Sequence, residues 1–406
     1  MSPSLQRALA LGSTAIAAIA TTLVTTPAAH ADGPGVGVAW VVSVGDSYIS
    51  GEAGRWAGNS NNGESYIDAG GASTYFDNAS HTAETINRCH RSFASEISVG
   101  SGVNGLDLAC SGATTATVAS DSNGYFKPGL DFYNGSAGQG QALMLQNFAA
   151  THNVKLVAVS IGGNDFNFGS IVQQCVTDFL GSPSWWKDYC NDDSVVTNAM
   201  ASSNVAAQRA NIKNAFLNIR TAMRDAGYAD TSWTLEVQNY VSPLPNGSSI
   251  RYSESGYSRQ NTGGCGFWNN DANYANSTLL PTINNAVFGA ATDSGMTNIK
   301  TLNLSSAFNG RRLCENTVGL IEEKGLAGWW STGAVDQTEW VNQIRTVSTA
   351  NSDYYIQESL HPNYWGQRAL ANCLLQAYNG GAPKSGTCVR GANGLNAAGE
   401  PNMVLQ

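Results

Sequence analysis

The chain of 406 residues carries 21 Lys and Arg against 30 Asp and Glu, a formal net charge of −9. An acidic balance with so few basic residues argues against nucleic acid as a partner, because phosphate recognition needs clustered Lys and Arg. Charged residues are sparse at 13% while Gly, Asn and Ser abound, so much of the surface must be neutral and polar, as suits an exported rather than a cytosolic protein.

Residues 1–31 have the pattern of a secretory signal peptide, not of a membrane span. Arg7 is the only charge, an apolar stretch follows, and Ala29-His30-Ala31 offers a small-x-small cleavage site. No later stretch is apolar enough to cross a bilayer. Residues 32–406 are therefore expected to be a secreted monomer without a transmembrane segment.

The first strand is expected at 38–44, where Val41-Val42-Ser43-Val44 stops abruptly at Gly45-Asp46-Ser47. Gly, Asp and Ser all favour turns for local backbone reasons, so a plain turn is one reading. The other is that Ser47 stands at the carboxyl end of a buried strand, where open α/β sheets place their ligands. A charged Glu52 follows among glycines. A second strand at 106–109 leads into Cys110-Ser111-Gly112-Ala113-Thr114, and a helical pattern at 139–152 holds Ala142, Leu143, Leu145, Phe148 and Ala149. A third strand at 155–161 leads into Gly162-Gly163-Asn164-Asp165.

Beyond it lies an insertion at about 166–197 rich in aromatics (Phe166, Phe168, Phe179, Trp185, Trp186), then a long helix at 198–226 with Ala206, Ile212, Phe216, Ile219 and Met223 on its stripe. Strands are expected at 233–240 and 299–304, separated by a Gly-, Asn- and Ser-rich insertion at about 245–276 that includes Phe267 and Trp268. Loops this long are functional or disordered, and their cysteines favour order. Glu358-Ser359-Leu360-His361-Pro362 precedes a last helix, expected to begin near Pro362 and to turn Trp365, Ala369, Leu370 and Leu374 inward.

The eight cysteines are Cys89, Cys110, Cys175, Cys190, Cys265, Cys314, Cys373 and Cys388. An even count in an exported chain favours disulfides, and with no CxxC pair and no HExxH no metal or other cofactor is expected. Eight cysteines allow 105 pairings. Joining neighbours in order is preferred, because three of the loops are then short and each falls on a connection between elements.

Strands alternating with helices are the signature of a layered α/β fold, and nearly continuous apolar runs suit strands buried on both faces of a parallel sheet. No linker or internal repeat splits the chain, so 32–406 reads as a single domain with two long insertions. Each short block has a bland reading alone, Gly-Gly-Asn-Asp being a good turn and helix cap. Their joint occurrence, in this order and at strand ends, is far less ordinary.

Taken together from Val38 to Leu370, the four blocks resemble those of the SGNH (GDSL) hydrolases, in the exported, cysteine-bridged setting of the actinobacterial esterases and lipases of that family. The resemblance implies a flavodoxin-like α/β/α fold in three layers with a five-stranded, mostly parallel sheet. It implies Ser47 as nucleophile, His361 as base, and an oxyanion hole of the Ser47 and Gly112 N–H groups and the Asn164 amide. The family's last block reads Asp-x-x-His where this chain has Glu-x-x-His, so Glu358 is the candidate acid, with a main-chain carbonyl on His361 as the alternative.

The chemistry fits these residue types. A serine hydroxyl needs an adjacent base, histidine serves near neutral pH, and the oxyanion needs preorganised donors. The other histidines compete poorly: His81 lies in a polar loop, His152 closes a helix, and His90 neighbours a cysteine. Asp46 and Asp165 read as structural, accepting nearby backbone N–H bonds. The expected activity is hydrolysis of lipid or small acyl esters. A carbohydrate acyl esterase, or an inactive extracellular binding protein on the same fold, are the alternatives.

Overall fold

The computed structural model describes residues 33–100, 102–345 and 356–406; the expected signal peptide lies outside the described residues. Five parallel strands form the centre of the sheet: β1 (Ala39–Gly45), β2 (Asn104–Asp107), β3 (Asn153–Ser160), β4 (Thr234–Gln238) and β5 (Ile299–Asn303). Their spatial order is β2-β1-β3-β4-β5, so the chain reverses its winding beside β1.

The sheet has seven strands, not five. β6 (Gly386–Leu395) pairs parallel with β5, and β7 (Pro401–Leu405) pairs antiparallel with β6 at the edge. The stretch GTCVRGANGL offers no apolar run, and most of it is half-buried or exposed. It becomes a strand because β5 presents an edge whose backbone groups need partners.

The apolar run of β1 divides between two faces. Val42 pairs in register with Val157 of β3, which pairs with Leu235 of β4. This row and the next, Val44, Val159 and Val237, pack with α2 (Gln141–Ala149), α4 (Ser202–Asp225) and α5 (Leu280–Asp293), and α3 (Phe168–Gly181), from the first insertion, joins the same core. On the other face Val41, Leu156 and Ala158 meet Leu374 and Tyr378 of α6 (Tyr364–Tyr378). Each such side chain contributes about 1.5–3 kcal/mol by leaving water, and the result is the expected three layers.

Two helix details differ from expectation. The inward stripe of α4 starts at Ile212, and Ala206 lies in solvent. α6 starts after Asn363, whose side chain accepts the N–H bonds of Trp365 and Gly366, so Pro362 stands before the cap. Bridges join Cys89–Cys110, Cys175–Cys190, Cys265–Cys314 and Cys373–Cys388, in sequence order. The second ties α3 to the turn that follows it, and the fourth ties β6 to α6.

Candidate active site

β1 ends on a residue that only glycine can be. Gly45 has φ +135°, and a Cβ there would lie 1.9 Å from the Ser160 carbonyl oxygen. That close approach lets β1 and β3 stay paired to their last residue while the chain turns away. Buried Gln141 locks the turn: its Oε1 accepts from Gly45 N–H at 2.6 Å and its Nε2 donates to Gly45 O at 2.8 Å. Asp46 then caps α1 (Ser47–Ser50), accepting from Tyr48 N–H at 3.1 Å and from the Tyr240 hydroxyl. Burial pushes the Asp46 carboxyl up to about 7 against the pull of the Tyr240 bond, which suits a structural acid.

Ser47 therefore opens a one-turn helix at the carboxyl end of β1. Its backbone N–H, one of the orphan donors of a helix start, has no partner among the described residues. Its Oγ lies 2.7 Å from His361 Nε2, and His361 Nδ1 lies 3.0 Å from the Ser359 carbonyl oxygen. A carbonyl can only accept, so Nδ1 carries the proton and Nε2 presents its lone pair to Ser47. Burial holds the imidazole below its ordinary range, while the charge of Glu52 pulls it back up.

The carboxylate of Glu358 does not reach the imidazole. It accepts from Trp56 Nε1 at 2.9 Å and from the Tyr75 hydroxyl. The cause is local geometry: Glu358 closes a single 3₁₀ turn (Ile356–Glu358), and Leu360 at φ +63° then swings the chain round. Three residues of spacing thus separate the side chains instead of stacking them, and the carbonyl of Ser359 takes the position on Nδ1. Burial, with the neighbouring charge of Glu52, pushes the Glu358 carboxyl up to about 7. Tyr48 steadies the segment by donating to Leu360 O at 3.1 Å.

Gly112 and Asn164 arrive from the ends of β2 and β3. Gly112 has φ +82°, a conformation that costs other residues strain, and its N–H has no partner among the described residues. Asn164 Nδ2 donates one proton to Ala113 O at 2.8 Å, and Asp165 accepts from Thr115 Oγ1 at 2.6 Å. The two loops are thereby stitched together. Ser47, Gly112, Asn164 and His361 all line one cavity of about 1320 Å³.

Most aromatics of the insertions do not line it. Phe166, Phe179, Phe267 and Trp268 are buried in the core, and Trp185 and Trp186 are 84% and 74% exposed. Only Phe168 reaches the cavity, whose apolar wall comes from Val172, Val176 and Leu180 along α3 with Leu280 and Ile283 of α5. The i, i+4, i+8 spacing on α3 was the available signal.

Sequence reasoning gave no role to Glu52 or His90, which meet Glu358 in a polar cluster beside Ser47 and His361. Glu52, His90 and Glu358 are fully buried, with side-chain ligand atoms within 4.8 Å of one another. His90 Nδ1 lies 2.8 Å from Glu52 Oε1, and Glu358 is held by Trp56 and Tyr75, so the three belong to one hydrogen-bonded network. His81 and His152 bond main-chain carbonyls away from the cavity.

No family model matches the chain, and no curated protein matches it. Among solved structures it is similar to the extracellular lipase of Streptomyces rimosus, at 18% identity over 85% of this chain and 100% of that one, with a TM-score of 0.43. The phospholipase A1 of Streptomyces albidoflavus gives 17% identity over 85% and 100%, TM-score 0.42. A family 2 carbohydrate esterase with a carbohydrate-binding domain from Corynascus thermopiles gives 12% over 86% and 68%, TM-score 0.38. Overlays this loose do not carry a reaction across.

Proposed function

We propose that this chain is an exported serine esterase that hydrolyses carboxylic esters, lipid-type acyl esters above all, through an acyl-enzyme. The observation that carries the reading is the 2.7 Å approach of His361 Nε2 to Ser47 Oγ, with Nδ1 held by the Ser359 carbonyl. An oriented imidazole lone pair on a serine hydroxyl at a helix N-terminus is what nucleophile activation requires. Ser47 Oγ attacks the ester carbon as its proton passes to Nε2. The N–H groups of Ser47 and Gly112 and the second amide proton of Asn164 receive the oxyanion. The collapsing intermediate expels the alcohol, which takes the proton from Nε2, and water then repeats the sequence on the acyl-Ser47. The site works as a dyad, the carbonyl of Ser359 standing where a carboxylate would stand in a triad.

The apolar wall of Val172, Val176, Leu180, Leu280 and Ile283 supports an acyl chain over an acetyl group. Arg88, Asn123 and Tyr125 on the same cavity suit a hydroxylated leaving alcohol, which keeps an acylated carbohydrate as the second reading. A fluorophosphonate probe should label the wild-type chain and leave Ser47→Ala unlabelled, and turnover of p-nitrophenyl esters should rise from acetate to octanoate. Equal labelling of Ser47→Ala would sink the nucleophile, and a preference for acetate would favour the carbohydrate reading.

A further inference from the structure

The segment carrying His361 is fastened to the turn carrying Ser47 by a charged group that the dyad chemistry has not used. Glu52 closes that turn: its N–H donates to Ser47 O at 3.3 Å, and its side chain is 0% exposed. Its Oε1 lies 2.8 Å from His90 Nδ1, and its Oε2 accepts from Gln357 Nε2 at 3.1 Å. Gln357 Nε2 also lies 2.9 Å from the same His90 nitrogen. Three polar groups thus meet at one point, and of the three a carboxylate alone accepts without donating. With Nδ1 protonated, Glu52 takes a proton from each of the others, which selects its ionised form, and the approach of Gln357 Nε2 to His90 Nδ1 is a contact of two donors that the carboxylate holds together.

His90 has a carboxylate on both sides. Glu52 faces Nδ1, and Glu84 Oε1 lies 3.5 Å from Nε2. That arrangement selects the imidazolium, and the Tyr75 ring stacks on it at 4.2 Å. Glu52, His90 and Glu84 together bring one net negative charge to the buried side of the dyad, near enough for Glu52 and His361 to shift each other's ionisation.

Resting on the serine-hydrolase reading above, we propose that Glu52 is the positioning carboxylate of this site. It holds the His361 segment through Gln357 and sets a buried negative charge against the imidazolium that forms during attack, without touching the ring. A charge in a desolvated interior acts over several ångströms, so a carboxylate need not bond Nδ1 to favour proton transfer to Nε2. Glu358 is unsuited to that task, since burial favours its neutral form. The other ionisable groups around Glu52 are Tyr75, Glu84, His90, Lys127 and Glu358, and those facing His361 are Tyr48, Glu52 and His90.

The test is the pH profile of kcat/KM for a p-nitrophenyl ester, measured on the full chain. Glu52→Gln removes the negative charge, so the acid limb set by His361 should move to lower pH while kcat falls roughly tenfold. His90→Gln removes the opposing positive charge and should move the same limb to higher pH. Glu52→Asp should keep the limb near its wild-type position. Loosened packing would shift both Gln variants alike, so opposite shifts support the proposal and parallel or absent shifts overturn it. Unmoved limbs in a chain whose Ser47 still reacts with fluorophosphonate sink this proposal alone, whereas a wild-type chain that does not react sinks the hydrolase reading with it. Activity lost to EDTA and restored by a divalent cation would make the cluster a metal site and overturn the proposal too.

Discussion

Replacing Asn164 by alanine separates catalysis from stability. The amide has two protons: one is donated to Ala113 O at 2.8 Å, and the other is left for the cavity that Asn164 lines with Ser47. Loss of an oxyanion donor removes about 2.7–4 kcal/mol of transition-state stabilisation, roughly 10²–10³ in kcat. Loss of the bond to Ala113 costs only about 0.5–1.5 kcal/mol of stability. The loops do not part, because Asp165 still holds Thr115 through its hydroxyl at 2.6 Å and its N–H at 3.1 Å. Initial rates on p-nitrophenyl butyrate should therefore show kcat reduced about 10²–10³-fold with KM within a few-fold, while Tm falls by about 2–4 °C. A kcat within about threefold of wild type would remove Asn164 from the oxyanion hole. A collapse of Tm would reassign the loss to folding.

Glu358→Gln should act on stability: an amide cannot accept at both atoms, so one of the bonds from Trp56 and Tyr75 is lost at a cost of about 1–3 kcal/mol, read from the urea midpoint, with the acid limb of the pH profile unmoved. A shifted limb would restore Glu358 to the triad. Three further buried acids should make stability fall with rising pH. Burial pushes Glu96 up to about 8 and Asp107 up to about 7, and with Glu96 nearby it raises Glu236 well above the carboxyl range. A folded value above the unfolded one means the contribution is complete below the unfolded pKa and is lost as pH rises through the folded value. For Glu96 the urea midpoint should drop between about pH 4.5 and pH 8 at up to about 1.4 kcal/mol per pH unit, and Glu96→Gln should flatten that slope. A midpoint that climbs over this window would contradict it.

Much of the frame was legible because one pattern carried it: apolar runs such as 38–44 can be buried on both faces only inside a parallel sheet. The blocks ending those runs mark where side chains converge, since strand ends of one sheet lie side by side. The β6–β7 hairpin was not legible because its pairing is set by the edge of β5, not by its own composition. Nor was the partner of His361, because spacing along the chain says nothing of side-chain direction where a 3₁₀ turn meets a left-handed Leu360. Glu52 stood out only as a charge among glycines; its meaning depends on His90 and Gln357, which are 38 and 305 residues away.

The Cys89–Cys110 bridge sits between two parts of this machinery. Cys89 adjoins His90, and Cys110 leads through Ser111 to Gly112, with Ser111 N–H donating to Cys89 O at 3.0 Å. One covalent bond thereby couples the charge cluster behind His361 to the loop carrying Gly112, the proposed oxyanion donor. A chain still in its thiol form lacks that coupling, so on the proposed function forming this bridge would order the site as well as reinforce the fold. On the proposed reading as an exported esterase, hydrolytic competence would then depend on an oxidising compartment.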